Sequence, residues 1–281
     1  MRIVSTDVYG GPNRFAHFPC VLHVVDLEEL EHWPTTRLGD AFIDGLVKAV
    51  PSLADHGCSY GETGGFLRRM REGEGTWLGH VFEHTVLEVQ HLAGHEVTFG
   101  KTRSTKTPGQ YNVVFEIQDK DVGLEASRLA LRLIHSLLPE ELKKKYADRE
   151  FNFEKERDWF IRYTQKRELG PSTGSLVKAA EMRGIPWLRL NEQSLVQLGH
   201  GKYQRRIQAT ITSETRHIAV ELSCDKEMAH KIFEDLGLPV PKQMTASSER
   251  ETLRAAERIG YPVVVKPYNG NHGRGVCINL R

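Results

Sequence analysis

Apolar positions in this chain follow two rhythms. Short runs rich in β-branched residues, Val21-Leu-His-Val-Val25 and Tyr111-Asn-Val-Val-Phe-Glu-Ile117, have the length and composition of strands. Between them the spacing predicts helices over about 39–50 and 76–92. Val122, Ala126, Leu129, Leu133 and Leu137 then line one face of a third helix, which must stop before Pro139. From 140 to 167 the chain is almost continuously charged, interrupted by aromatic residues such as Phe151, Phe153, Trp159, Phe160 and Tyr163, and reads as a partly helical connector. The pattern restarts at Gly170-Pro-Ser-Thr173. A helix over about 175–183 is followed by an extended segment, Ile185-Pro-Trp-Leu-Arg-Leu190, and by a hairpin formed from 195–198, the turn Gly199-His-Gly201 and 204–212.

The last section is the most clearly punctuated. Asp225 is a suitable N-cap for a helix that closes at Gly237, with Pro239 and Pro241 preventing its continuation. Ser248 and Glu251 form a capping box for a second helix ending at Gly260. The strand Val263-Val-Val-Lys266 comes next. The whole predicts an α/β protein in three parts: an α+β domain over 1–139, a charged connector over 140–168 and a further, incomplete domain over 169–281.

Composition narrows the function. The chain has 281 residues and a formal net charge of +1, without the basic excess that nonspecific nucleic-acid binding needs. Cys20, Cys58, Cys224 and Cys277 are scattered, with no Cys-x-x-Cys pair, and read as reduced thiols of a cytoplasmic protein. Neither a signal peptide nor a membrane span is visible.

Two constellations carry chemistry. Gly79-His80-Val-Phe-Glu83-His84 has the His-x-x-Glu-His spacing of inverted zinc peptidases. On a helix, residues four apart lie about 40° apart around the axis, so His80 and His84 face one way and can share a zinc ion. Glu83 stands where it can take a proton, and Glu88, one further turn along, is the expected third ligand; His56, Glu62 and Glu125 are alternatives. The run Phe99-Gly-Lys-Thr-Arg103 adds cations, among which Arg103 is expected to hold an acidic substrate. The second constellation is Lys226, at the start of the Asp225-capped helix, and Lys266, ahead of Pro267-Tyr-Asn-Gly270-Asn271-His272-Gly273-Arg274-Gly275. Lysine supplies a point charge for phosphate, and glycines let backbone N–H groups approach its oxygens. This is neither a Walker A loop nor a dinucleotide fingerprint. Two lysines separated by helix, turn, helix and strand resemble the phosphate site of ATP-grasp ligases. Arg205 and Arg206 are neighbours on a strand and so point to opposite faces; Arg205 is the expected carboxylate clamp.

These residues, with Gly11-Pro-Asn13, Gly170-Pro-Ser172-Thr173 and Ser194-Leu-Val-Gln-Leu-Gly199, resemble the N-terminal portion of the cyanophycin synthetase family along essentially the whole chain. The resemblance implies a ligase that uses ATP and Mg2+ to add aspartate, and in a later domain arginine, to an aspartate–arginine polymer. It implies an N-terminal metallopeptidase-like domain that binds and cuts the polymer to make primers, with zinc at His80 and His84, and a homo-oligomer, a tetramer. Ser172 and Thr173 are expected to touch substrate, and Lys226, Lys266 and Gly270 through Gly275 to hold ATP. Ligands for Mg2+ are expected beyond Arg281. A hydrolase-only fragment and a glutathione-type ATP-grasp ligase are the alternative readings.

Overall fold

A computed structural model of the chain, describing residues 1–268 and 273–281, separates into two compact units, Met1–Ile211 and Thr212–Arg281. Helices and antiparallel sheets mix throughout. The first unit is built on strands β1 (Arg2–Tyr9), β2 (Cys20–Asp26), β3 (Gly100–Ser104) and β4 (Gln110–Glu116), in the order β1-β2-β4-β3, all antiparallel. Its helices are α1 (Thr35–Leu38), α2 (Asp40–Ala49), α3 (Gly65–Arg71), α4 (Leu78–Leu92), α5 (Lys120–Leu137), α6 (Glu140–Tyr146), α7 (Phe153–Arg167) and α8 (Pro171–Glu181).

Central β2 is buried on both faces, which explains why its sequence is an apolar run rather than an alternation. Val21 and Val25 enter the main core with Val113 and Phe115 of β4, whereas Cys20 and Leu22 pack on the other face with Val114. Helix α4 lies against β4 and α5, and twelve of its fifteen residues are buried. Two glycines permit this closeness. A Cβ at Gly123 of α5 would stand 2.3 Å from Ile117 Cγ2, and one at Gly79 of α4 would touch the Tyr111 ring at 3.4 Å. Asp119 caps α5 by accepting from the Asp121 and Val122 amides at 3.0 and 3.1 Å.

The charged stretch after Pro139 folds as α6 and α7. Leu142 and Phe160 are buried in the main core, while Arg132 of α5 pairs with Asp148 at 2.8 Å and with Glu156. Phe160 and its neighbours are therefore the inner stripe of a helix whose remaining faces are solvated. Further on, β5 (Trp187–Arg189), β6 (Leu195–Leu198) and β7 (Arg205–Gln208) pair antiparallel, and a small core joins Val196 and Ile207 to Val177 of α8. The expected hairpin turn holds Gly199 at φ +71° and Gly201 at φ +60°.

Strand β8 (Ile211–Thr212) spans the boundary between the units, and the second contains α9 (His217–Cys224), α10 (Lys226–Asp235), α11 (Glu249–Ile259) and the antiparallel pair β9 (Val263–Val265) and β10 (Cys277–Leu280). Among its described residues only Ala255, Ala256 and Val263 are buried.

One core polar group makes folding pH-sensitive. His23 of β2 is 1% exposed. Ser127 donates its own hydroxyl proton to Leu124 O, so it accepts from His23 Nε2–H at 3.0 Å, and Nδ1 accepts from Thr6 at 2.8 Å. Burial lowers this imidazole to about 4. The unfolded chain takes up the proton near pH 6.5, so the stabilisation is complete above that value and is lost as pH falls toward 4. From His23 alone we expect the unfolding free energy to fall by about 2 kcal/mol between pH 7 and pH 5. His135, also lowered to about 4, adds to the wild-type slope. Urea unfolding of wild type and His23→Gln at both pH values checks this, and equal slopes would contradict it.

Candidate active site

Helix α4 places His80, Glu83 and His84 where the spacing requires. Its imidazoles stack edge to face at 4.7 Å between centroids, with the two Nε2 atoms 3.1 Å apart. Phe66 of α3 closes the back of the site, 4.3 Å from the His84 ring and 5.7 Å from the His80 ring. The third member comes from outside the helix. Cys58, in a one-turn 3-10 segment (Cys58–Tyr60), brings Sγ to 3.4 Å from His80 Nε2. Among the described residues, Cys58, His80 and His84 form the group whose ligand atoms all lie within 4.8 Å of one another. Cys58 sits at φ +45°, a left-handed conformation costly for a residue with a side chain. Beside it, Gly57 O would lie 2.0 Å from any Cβ at Gly65, so only glycine there lets the Cys58 loop rest on α3.

Glu88 occupies a different place from the one its helical register suggests. Its Oε1 accepts from His56 Nε2 and lies 3.1 Å from His91 Nδ1, while His56 Nδ1 faces His84 Nδ1 at 3.1 Å. The His56 ring bridges the two side chains, so Glu88 is linked to His84 through His56. Glu62 pairs with Arg68 at 3.1 Å, and Glu125 pairs with Arg128. Cys58 had one signal in the sequence, the tight His56-Gly-Cys58 loop, but no spacing rule linked it to a helix twenty residues later.

Burial dominates the electrostatics. It lowers His80 to about 4, helped by the charges of Arg69 and Arg103, and His84 to about 3, helped by His80 and His56. Both rings are neutral at pH 7 and keep a lone pair for a metal. Burial raises Glu83 to about 7, against the opposing influence of Thr102 and Arg103; Thr102 Oγ1 donates to its Oε2 at 2.6 Å. Burial would raise Glu88 too, but the bonds from His56 and His91 outweigh it and hold this carboxyl far below its ordinary range. Tetrahedral zinc with ordinary bond lengths sets ligand nitrogens about 3.3 Å apart, and nitrogen and sulfur about 3.5 Å apart. The 3.1 and 3.4 Å separations here, in a thiol–imidazole donor set, fit that ion.

In the second unit Asp225 caps α10, accepting from the Glu227 and Met228 amides at 3.0 and 2.9 Å. Ser248 caps α11 by accepting from the Glu251 amide at 3.3 Å, while Glu251 Oε2 reaches one residue beyond the expected box and accepts from the Ser247 amide at 2.9 Å. Lys226 Nζ donates to Tyr268 O at 3.3 Å, and Tyr268 donates from its hydroxyl to Asp225 at 3.2 Å. The start of α10 and the segment after β9 therefore meet, with Lys266 at the end of that strand. Gly273 and Gly275 take positive φ, and Arg274 lies between them. Gly270, Asn271 and His272 lie outside the described residues. In the first unit, Ser172 is exposed at the start of α8, Thr173 is buried, and Arg205 lies exposed on β7.

This architecture defines a class: an α/β protein in which a domain bearing a Cys–His–His cluster precedes a segment similar to an ATP-binding domain. Residues 22–139 match the cyanophycin synthase-like N-terminal domain, and residues 225–280 match the ATP-binding domain of the carbamoyl-phosphate synthase L chain. The whole chain is 42% identical to the cyanophycin synthetases of Synechocystis sp. and Crocosphaera subtropica, covering 32% of each. A shorter stretch, 21% of the chain, is 42% identical to 6% of the carbamoyl phosphate synthase large chain of Acidobacterium capsulatum. The chain is thus similar over its whole length to cyanophycin synthetases, and it spans about a third of their length.

Gly100 shapes the site as much as the polar groups do. A Cβ there would stand 2.6 Å from Glu83 Oε1 and 2.7 Å from its Cγ, whereas one at Gly10 meets nothing within 4 Å. We expect Gly100→Ala to cost about 1–2 kcal/mol by displacing Glu83 and Gly10→Ala to stay within about 0.5 kcal/mol of wild type. Denaturant unfolding of the two variants measures the difference.

Proposed function

We propose that this chain forms part of an ATP-dependent amide ligase of cyanophycin synthesis. The observation that supports it best is similarity along the entire chain to cyanophycin synthetases, joined to an ATP-binding-domain match over 225–280. In this reading the ligase half begins near 169, after a connector over 140–168. Lys226 and Lys266 hold the phosphates of ATP, Gly270 through Gly275 cover them, and Mg2+ screens their charge while a carboxylate is activated for attack by an amine. Arg205, Ser172 and Arg103 face aspartate, arginine or the growing polymer; Thr173, buried in α8, shapes that surface from below. The ligase works as a homo-oligomer, a tetramer, in the cytoplasm. Among the described residues no helix is long and apolar enough to cross a membrane, and the +1 charge gives no footing for nucleic acid. A glutathione-type ligase is not favoured, since the match to cyanophycin synthetases includes the His80–His84 helix.

A second activity, polymer cleavage that makes primers, is favoured by the Cys58–His80–His84 cluster. Zinc held by these three would supply Lewis acidity. Glu83, raised to about 7, would accept a proton from the attacking water at Oε1, with Thr102 steadying Oε2. His56, bonded to Glu88, would fix the His84 ring.

Two results would test these readings. In the ligase as a whole, given Mg2+, aspartate, arginine and primer, Lys266→Ala should lower ATP consumption by about 100-fold or more; an unchanged rate would refute the ATP role. Without ATP, Glu83→Gln should stop polymer shortening while bound zinc stays at the wild-type level, and Cys58→Ser should lower zinc affinity. Equal shortening by Glu83→Gln would remove the hydrolytic role.

A further inference from the structure

Strand β3 is the last strand of the first sheet, so one side pairs with β4 and the other has no strand beside it. The register fixes which backbone groups face each way. The Glu116 amide donates to Phe99 O and the Thr105 amide to Gln110 O, both at 2.9 Å. Residues 99 and 105 therefore belong to hydrogen-bonded pairs, and so do Lys101 and Arg103 between them. Gly100, Thr102 and Ser104 alternate with these, and their N–H and C=O groups point to the open side. Among the described residues no backbone bond reaches their amides from that side. Thr102 O accepts from Nη1 of the exposed Arg103 at 2.8 Å, a cover that blunts the edge until a strand replaces it.

Helix α4 stands over this edge. Phe82 packs on His23 of β2, with 6.1 Å between ring centroids, and marks the side of α4 that faces the middle of the sheet. Glu83, about 100° around the axis, faces β3. Thr102 Oγ1 donates to it at 2.6 Å, and a Cβ at Gly100 would stand 2.6 Å from its Oε1. His80 and His84 lie past Glu83, each about 160° from Phe82, and so on the free side of β3. Glu83 Oε1 is 3.9 Å from His84 Nε2. The residues that offer unpaired backbone groups are thus the ones that hold Glu83, and the Cys58–His80–His84 cluster lies beside the open edge.

We infer that the open edge of β3 receives the substrate as an added strand: an extended peptide main chain pairs with Gly100, Thr102 and Ser104 and lays a carbonyl against the cluster. Main-chain pairing is indifferent to side-chain identity, which suits a polymer with large side groups, and alternate side groups then point away from α4. The inference deepens the hydrolase reading and rests on it for which bond is cut, but strand pairing is read by binding alone.

The test titrates short synthetic aspartate–arginine oligomers into the zinc-supplemented Glu83→Gln chain. One oligomer is unmodified; two others carry the same number of backbone N-methyl groups, on alternate residues in one and on consecutive residues in the other. Alternate methylation leaves one edge of an extended peptide free, so that oligomer should bind within about 3-fold of the unmodified one, whereas consecutive methylation blocks both edges and should weaken binding about 10-fold or more. In the same background Ser104→Pro removes an outward N–H and leaves the ladder to β4 whole; it should bind the unmodified oligomer about 10-fold more weakly than Ser104→Ala. Equal binding of the two methylated oligomers, or equal binding by folded Ser104→Pro and Ser104→Ala, would overturn the added strand. Should Ser104→Pro fail to fold, the methylated pair decides alone. Wild-type cleavage of the unmodified oligomer separates the two proposals: the methyl pattern without cleavage removes the hydrolase reading and keeps the strand, and cleavage without the pattern does the reverse.

Discussion

The first unit depends on the burial of α4. A helix packed against β4, α5 and the loops before α3 leaves little water for its polar side chains, yet it carries a histidine, two glutamates and a glutamine on buried positions, with His80 half-buried beside them. Burying such groups without partners is costly. Each side chain has at least one partner drawn from another element: Thr76 for His80, Thr102 for Glu83, His56 for His84 and Glu88, and the Glu116 carbonyl for Gln90, while Glu88 Oε2 and Gln90 Oε1 have none among the described residues. The same desolvation that demands these partners keeps the imidazoles neutral and makes Glu83 a base near neutrality.

Support for that helix continues one layer outward. Thr35, fully buried, donates to the Met70 carbonyl at 2.7 Å and accepts from the Thr76 amide at 2.9 Å, tying the end of α3 to the residue that orients His80. Gly75 leaves room for this tie, since a Cβ there would lie 2.5 Å from the Thr35 hydroxyl. Phe66, which closes the back of the cluster, and Cys58, its third member, lie on α3 and in the loop just before it, so fold and site share one set of contacts. The second unit is built differently. It has well-capped helices but almost no buried apolar side chains among its described residues, and Ile218, Met228, Phe233 and Leu236 are exposed. Caps and turns set its local order more than a core does.

Much of this order was legible before folding. The helices over 39–50, 76–92 and 122–137 appear as α2, α4 and α5, because strong period and clear stops agree. Capping predicted α10 and α11, since Asp225 and Ser248 act on amides two or three residues away. Strands β1 and β3 were not evident. Arg2–Tyr9 and Gly100–Ser104 are mostly polar or exposed edge strands of the four-stranded sheet, held by pairing with β2 and β4 rather than by an apolar pattern of their own. Helix α9 was also missed, for its eight residues bury nothing.

By itself the sequence determined which residues share a helix face, because backbone geometry converts a spacing of four into neighbouring side chains without help from the rest of the chain. That placed His80, Glu83 and His84 together, and it arranged Lys226 and Lys266 around capped helices and a short strand. Which residue completes the cluster was decided only by tertiary structure. The sequence pointed to Glu88, with His56, Glu62 and Glu125 as alternatives, whereas the packing of the loop that carries His56 and Cys58 against α3 brings Cys58 to the histidines. A side chain thirty residues from its partner is positioned by packing and by the glycines that permit close approach, and no local period records either.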